Sequence, residues 1–339
     1  MTSPPPTSGI PAAAGTDVPA RRPGGGRAAA VLVLVAAAAL IPMFGPRAAL
    51  DGTGEAAAPG VGGIALLRAV LFAALCIQAG EVFAGRLARK VAPSQEAPRT
   101  WSVPAAWAGF VAALGLASVV ASGNLVPHSL ADLDIGGLYG TRDGTLALVE
   151  VNAFLVAALC ARSRRPAYAL LPLAAVVVAE ALRAHPGTED TPLVGSGLTL
   201  VHLTCGALWA GGLLYVLRTL RAWRTTAPGP GTALLGRYAR VAALLLAALT
   251  ATGLCSTLRR MPPGTVLDQL TTTAYGRTLL AKVLLVAVVA ALALVARLRL
   301  RRARDRTSAY VPARAEVVVL AVVVAVSAVL TALPLPIRW

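Results

Sequence analysis

Nine apolar runs, each long enough to cross a hydrocarbon layer, alternate with short polar segments rich in arginine. A membrane-spanning helix needs ~20 mostly apolar residues. The runs fall at residues 28–46, 61–84, 101–121, 144–161, 166–183, 194–217, 236–257, 277–298 and 315–335. The pattern predicts an all-α protein, one polytopic transmembrane bundle of about nine helices with short loops. Residues 1–27, rich in Pro, Gly and small polar residues, are expected to form a disordered cytoplasmic tail. Residues 28–190 and 194–336 then divide into an N-terminal and a C-terminal set of helices. The run from Ala28 also fits the apolar part of a cleaved signal peptide, with basic residues before it and Ala48 and Ala49 after it. Cleavage would leave eight helices. The retained helix is preferred, because the tail before it is long.

Composition agrees with a lipid solvent. Of 339 residues 57% are hydrophobic and 14% charged, whereas a soluble domain is about a quarter charged. A water-soluble enzyme is excluded by that balance. The net charge of +16 alone would suggest nucleic acid, but aromatic residues for base stacking amount to only 5%. The basic residues instead cluster between the apolar runs. With the N-terminus inside, the inner segments hold 22 of the 31 Lys and Arg residues. That asymmetry predicts the N-terminus in the cytoplasm and the C-terminus outside. It also accounts for the charge without a polyanionic partner.

Ionisable groups inside the hydrocarbon cost at least ~2.5 kcal/mol on insertion scales, so each calls for a partner or a role. Arg68, Glu150, Glu180 and Lys282 fall in the outer half. One reading is a polar vestibule admitting a cation. The other, favoured for any single pair, is two structural ion pairs, Arg68 with Glu150 and Lys282 with Glu180. Glu81 and Glu316 lie toward inner helix ends and are expected to snorkel to the interface. His128 and His185 fall in outer segments and are expected to be solvated.

His202 lies within the sixth run, and Cys205, three residues on, shares its helix face. Imidazole with thiolate suits soft monovalent copper, and Cys255 would join them if the sixth and seventh helices are neighbours. The plainer alternative is a histidine bonded to a neighbouring helix, with cysteines as small apolar filler. Cys76 and Cys160 are expected to be filler, and no disulfide is expected. Gly206, Ala210, Gly211 and Gly212 around Trp209 form a small-residue packing seam.

The chain holds no phosphate-cradling Gly-x-x-x-x-Gly-Lys-[Ser/Thr] loop, so no nucleotide is expected. Haem held between two facing histidines is not expected, because only His202 is suitably placed. Met43 and Met261 are the only internal methionines, so no methionine-rich metal path exists. No nucleophile and base share one depth, and no enzymatic activity is expected.

From about residue 195 onward the chain resembles the copper resistance D family of bacterial membrane proteins. Four stretches carry the likeness: His202-Leu-Thr-Cys-Gly-Ala-Leu-Trp209-Ala-Gly211-Gly212-Leu; Arg237-Tyr-Ala-Arg with Ala251-Thr-Gly253-Leu; Thr273-Ala-Tyr275-Gly276-Arg277-Thr-Leu-Leu-Ala-Lys282; and Glu316 opening a helix that closes with Leu330-Thr-Ala-Leu-Pro334-Leu-Pro336. The resemblance implies a protein of copper homeostasis that passes copper inward or supports tolerance with a periplasmic copper carrier. Carried over by position, it singles out His202, Trp209, Tyr275, Lys282 and Glu316. The rival expectation is a non-transporting scaffold or sensor that docks an extracellular copper carrier at residues 122–143 or 258–276.

Overall fold

The computed structural model describes residues 25–127, 129–163, 165–185, 191–261, 263–302 and 310–335. Most of the tail and His128 lie outside them. The described residues form helices α1 (Gly25–Leu50), α2 (Val61–Val91), α3 (Ser102–Ala121), α4 (Ile135–Gly140), α5 (Arg142–Arg162) and α6 (Leu170–Arg183). These are followed by α7 (Pro192–Ala222), α8 (Pro228–Arg260), α9 (Val266–Thr272), α10 (Ala274–Arg302) and α11 (Tyr310–Ala332), with no strand among the described residues.

Every apolar run coincides with a helix, and seven helices are long and apolar enough to cross a membrane, namely α2, α3, α5, α7, α8, α10 and α11. That is fewer than the nine expected. The two that fall short do so for visible reasons. In α1 the apolar described stretch is Ala36–Leu50, and Pro42 and Pro46 lie within the helix. In α6 the α-helical part has 14 residues, because Pro166 opens a 3-10 turn, Pro166–Ala169, in its place. Proline at the first position starts α7 and α8, where a missing N–H costs nothing. Thr141 caps α5 by accepting from the Gly144 N–H at 3.1 Å.

At the centre, α2 packs against α7, α3, α11 and α1. Its crossing with α7 is a backbone contact at Gly80 and Gly211. A Cβ on Gly211 would run into the Cys76 carbonyl, and one on Gly80 into the Gly211 backbone. Small residues let helices approach this closely in lipid, so the seam expected around Trp209 is a real packing surface. Two apolar clusters flank the crossing. One joins Leu71, Phe154 and Val176 across α2, α5 and α6. The other joins Trp209, Tyr238, Val289 and Leu320 across α7, α8, α10 and α11. Helices α8 and α10 are the most open: 11% of each membrane window is buried, against 50% for α7. Their outward faces, with Leu244, Leu254, Val283 and Leu284 exposed, are apolar, as contact with lipid requires.

Candidate functional site

The outer charges form one cluster, with pairings other than those expected from sequence. Arg183 Nη2 lies 2.8 Å from Glu150 Oε1, and Arg68 Nη1 lies 3.6 Å from Glu180 Oε2. Arg183 also reaches Glu180 at 3.8 Å. Arg183, the last residue of its apolar run, ends α6 one turn after Glu180 and so hangs over α5, where Glu150 sits. That position displaces Arg68 from Glu150. Lys282 is not part of the cluster, and no ion pair joins it to Glu180. Glu150 is 0% exposed. Both acids are thus committed to arginines, the arrangement of a helix lock binding α2, α5 and α6. His185, expected to be solvated, is 4% exposed; its Nε2 is 3.0 Å from Thr199 Oγ1 on α7.

Nor does Glu81 snorkel. Its carboxylate accepts from the Trp101 N–H at 2.8 Å, the Ser102 N–H at 3.0 Å, Ser102 Oγ at 2.6 Å and Thr100 Oγ1 at 2.7 Å. It also takes the Arg218 guanidinium. The free N–H groups at the start of α3 and the Arg218 charge hold it inside. Glu316, 5% exposed, is likewise held inside, beside Trp209. Tyr238 Oη donates to the Trp209 carbonyl at 2.5 Å. This second cluster ties α7, α8 and α11 together.

His202 stands two turns outward from Trp209 on the same side of α7. Its Nδ1 is 3.0 Å from Thr252 Oγ1 on α8. The Thr252 hydroxyl has one hydrogen, and it donates that hydrogen to the Ala248 carbonyl at 2.7 Å. It therefore accepts from His202 Nδ1–H. That places the proton on Nδ1 and leaves the Nε2 lone pair bare. Metal-binding histidines carry this arrangement, with the second nitrogen anchored by an outer partner.

The other two expected ligands do not complete a site. Cys205 is half-buried one turn from His202, and Cys255 is exposed. Cys255 follows Thr252 by three residues on the same side of α8, but it lies near the helix end and is exposed. Among the described residues no three of His, Cys, Asp or Glu gather to hold a metal. His202, Cys205 and Cys255 are therefore not a closed three-donor centre.

Lys282, half-buried on α10, acts electrostatically on the His202 ring. Arg260, at the end of α8, acts on Lys282 in turn and donates to Tyr275 Oη at 2.8 Å. Tyr275 is buried at the start of α10. Antiparallel α8 and α10 thus present Arg260 with Tyr275 at one level and Thr252 with Lys282 about two turns deeper, ~12 Å from the helix ends. His202 comes to the second level from α7. Sequence reasoning missed Thr252, Tyr238, Arg183, Arg218 and Arg260. Of these Thr252 lay inside a stretch that had been singled out, Ala251-Thr-Gly253, and Tyr238 inside another, Arg237-Tyr-Ala-Arg.

Residues 232–330 match the family model described as Copper resistance protein D. The match takes in α8 beyond its first turn, α9, α10 and most of α11, hence Thr252, Tyr275, Lys282 and Glu316; His202 and Trp209 precede it. Comparisons with curated proteins and with solved structures return no match. The chain is a multi-pass helical membrane protein whose residues 232–330 are similar to the copper resistance protein D family.

Proposed function

We propose that the protein mediates copper uptake across the plasma membrane, with His202 Nε2 as the protein's point of contact with the ion and no enzymatic step. The observation that carries this reading is the bond from His202 Nδ1–H to Thr252. It fixes the ring and presents an unprotonated nitrogen beside the domain that carries the family match. Copper enters from the outer face, handed over by a periplasmic copper-binding protein, and moves along α7 toward the level of Trp209 and Glu316. Glu316 is the one inner-half carboxylate among the described residues of this domain, and it is the group that receives positive charge there.

The direction rests on nine crossings with the N-terminus inside. The short α6 supports that number. Its 14 residues and the 3-10 turn before them together reach about 29 Å at ~1.5 and ~2.0 Å per residue, close to the ~30 Å of hydrocarbon.

The test is copper accumulation in cells expressing wild-type or His202→Ala protein at matched levels. The variant is expected to accumulate less. Unchanged uptake overturns the assignment of His202. Cysteine labelling of Gln95→Cys and Thr271→Cys checks orientation, with residue 271 expected to react from outside and residue 95 not.

A further inference from the structure

Asn152 stands on the outside of the bundle at the middle of α5. It is ten residues from Arg142 and ten from Arg162, the two ends of the helix, and so ~15 Å along the axis from either end. The residue is exposed, and its Nδ2 donates to the Leu148 carbonyl at 2.8 Å. That bond uses one of two amide hydrogens. The second hydrogen and the carboxamide oxygen have no partner among the described residues. Lipid offers none, and so short a side chain cannot reach the interface as lysine or arginine does. Thr250, exposed on α8, differs in kind, because its single hydroxyl hydrogen goes to the Leu246 carbonyl at 2.9 Å.

The stripe around Asn152 suits a second copy of this chain. Val149, Val156 and Leu159 are exposed on the same face, in steps of three and four residues that keep to one side of a helix. At ~100° per residue the charged groups of α5, Arg142, Asp143, Glu150 and Arg162, all lie about 80° or more away from Asn152. Glu150 points nearly opposite, toward Arg183. Copies in one membrane share an orientation, so a two-fold axis along the membrane normal sets α5 parallel to α5, with each residue at the depth of its counterpart. No like charges then face each other across the seam. The one polar group at mid-depth meets itself, and a carboxamide is its own complement: each oxygen, partly negative, accepts from the partly positive NH2 of the other.

We infer that the protein forms a two-fold dimer through α5, in which the two Asn152 side chains hydrogen-bond to each other at the centre of the bilayer. The seam lies outside residues 232–330, so each copy keeps its own family domain whole.

The experiment measures energy transfer between full-length copies carrying donor and acceptor fluorophores at the N-terminus, in phosphatidylcholine vesicles over a range of protein-to-lipid ratios. Wild-type protein is expected to follow a monomer–dimer isotherm. Asn152→Val should raise the dissociation constant by about 5- to 30-fold, the equivalent of ~1–2 kcal/mol for a hydrogen bond between helices in lipid. Val156→Trp, which blocks the seam without touching the carboxamide, should weaken association at least as much. Leu244→Trp, on the exposed face of α8, should associate as wild type does. Circular dichroism of each variant checks that the helices are retained. Energy transfer no greater than chance at every ratio, a stoichiometry above two, or association that neither Asn152→Val nor Val156→Trp weakens overturns the inference. So does association weakened by Leu244→Trp alone, which would place the contact on α8.

Discussion

Arg218 of α7 donates to Glu81 of α2 at 2.6 Å, and its guanidinium lies 3.8 Å from the centroid of the Trp101 ring. The same carboxylate caps α3, so three helices converge on one side chain. Removing it leaves a buried cation and two backbone N–H groups without their acceptor. Glu81→Ala is expected to cost about 2–4 kcal/mol, read as a lower Tm in detergent. Glu81→Gln, which still accepts, should lose less.

The outer lock behaves as a pair. Arg183→Met alone leaves Glu150 charged and buried, and should cost about 3–5 kcal/mol. Combining it with Glu150→Leu should restore most of that loss. A double-mutant cycle by chemical unfolding reads the difference as a large interaction energy. Additive losses would mean that the two residues act separately.

Two glycines on α7 separate a close crossing from open packing. A Cβ on Gly211 collides with the Cys76 carbonyl, whereas one on Gly206 meets only a Leu249 side-chain atom at 3.8 Å. Gly211→Ala should therefore destabilise by about 1–3 kcal/mol. Gly206→Ala should fall within about 0.5 kcal/mol of wild type. Thermal unfolding of the two variants side by side is the check.

Thr252 orients the imidazole without touching the ion. Thr252→Val keeps the shape and removes the acceptor of His202 Nδ1–H, so copper(I) affinity should fall by about 10- to 100-fold. Thr252→Ser should bind as wild type does. Competition with a chromophoric copper(I) chelator gives both Kd values.

Hydropathy made the helices legible, because a run of ~20 apolar residues is a one-dimensional property. Depth along a helix was legible as well, and His202, Thr252 and Lys282 do share a level. Azimuth was not. Arg68 and Glu150 lie in the same outer half, yet which arginine meets which acid depends on where α6 ends, and it ends on Arg183. Glu81 was misjudged for a related reason. Its partners at residues 100–102 lie in the next helix start and Arg218 lies four helices away, so no local spacing announces them. His202 could be singled out as the one histidine inside an apolar run, whereas its bare nitrogen depends on a hydroxyl 50 residues distant.

The contact of Gly80 with Gly211 joins α2 and α7 into a spine with no slack between its backbones, and His202 is mounted on that spine. Lys282 is mounted on α10, which leans on α11 and leaves most of its surface to lipid. One side of the bundle is therefore a fixed post and the other a panel held by fewer neighbours. A change in bilayer thickness or lipid packing would move Lys282 before it moved His202.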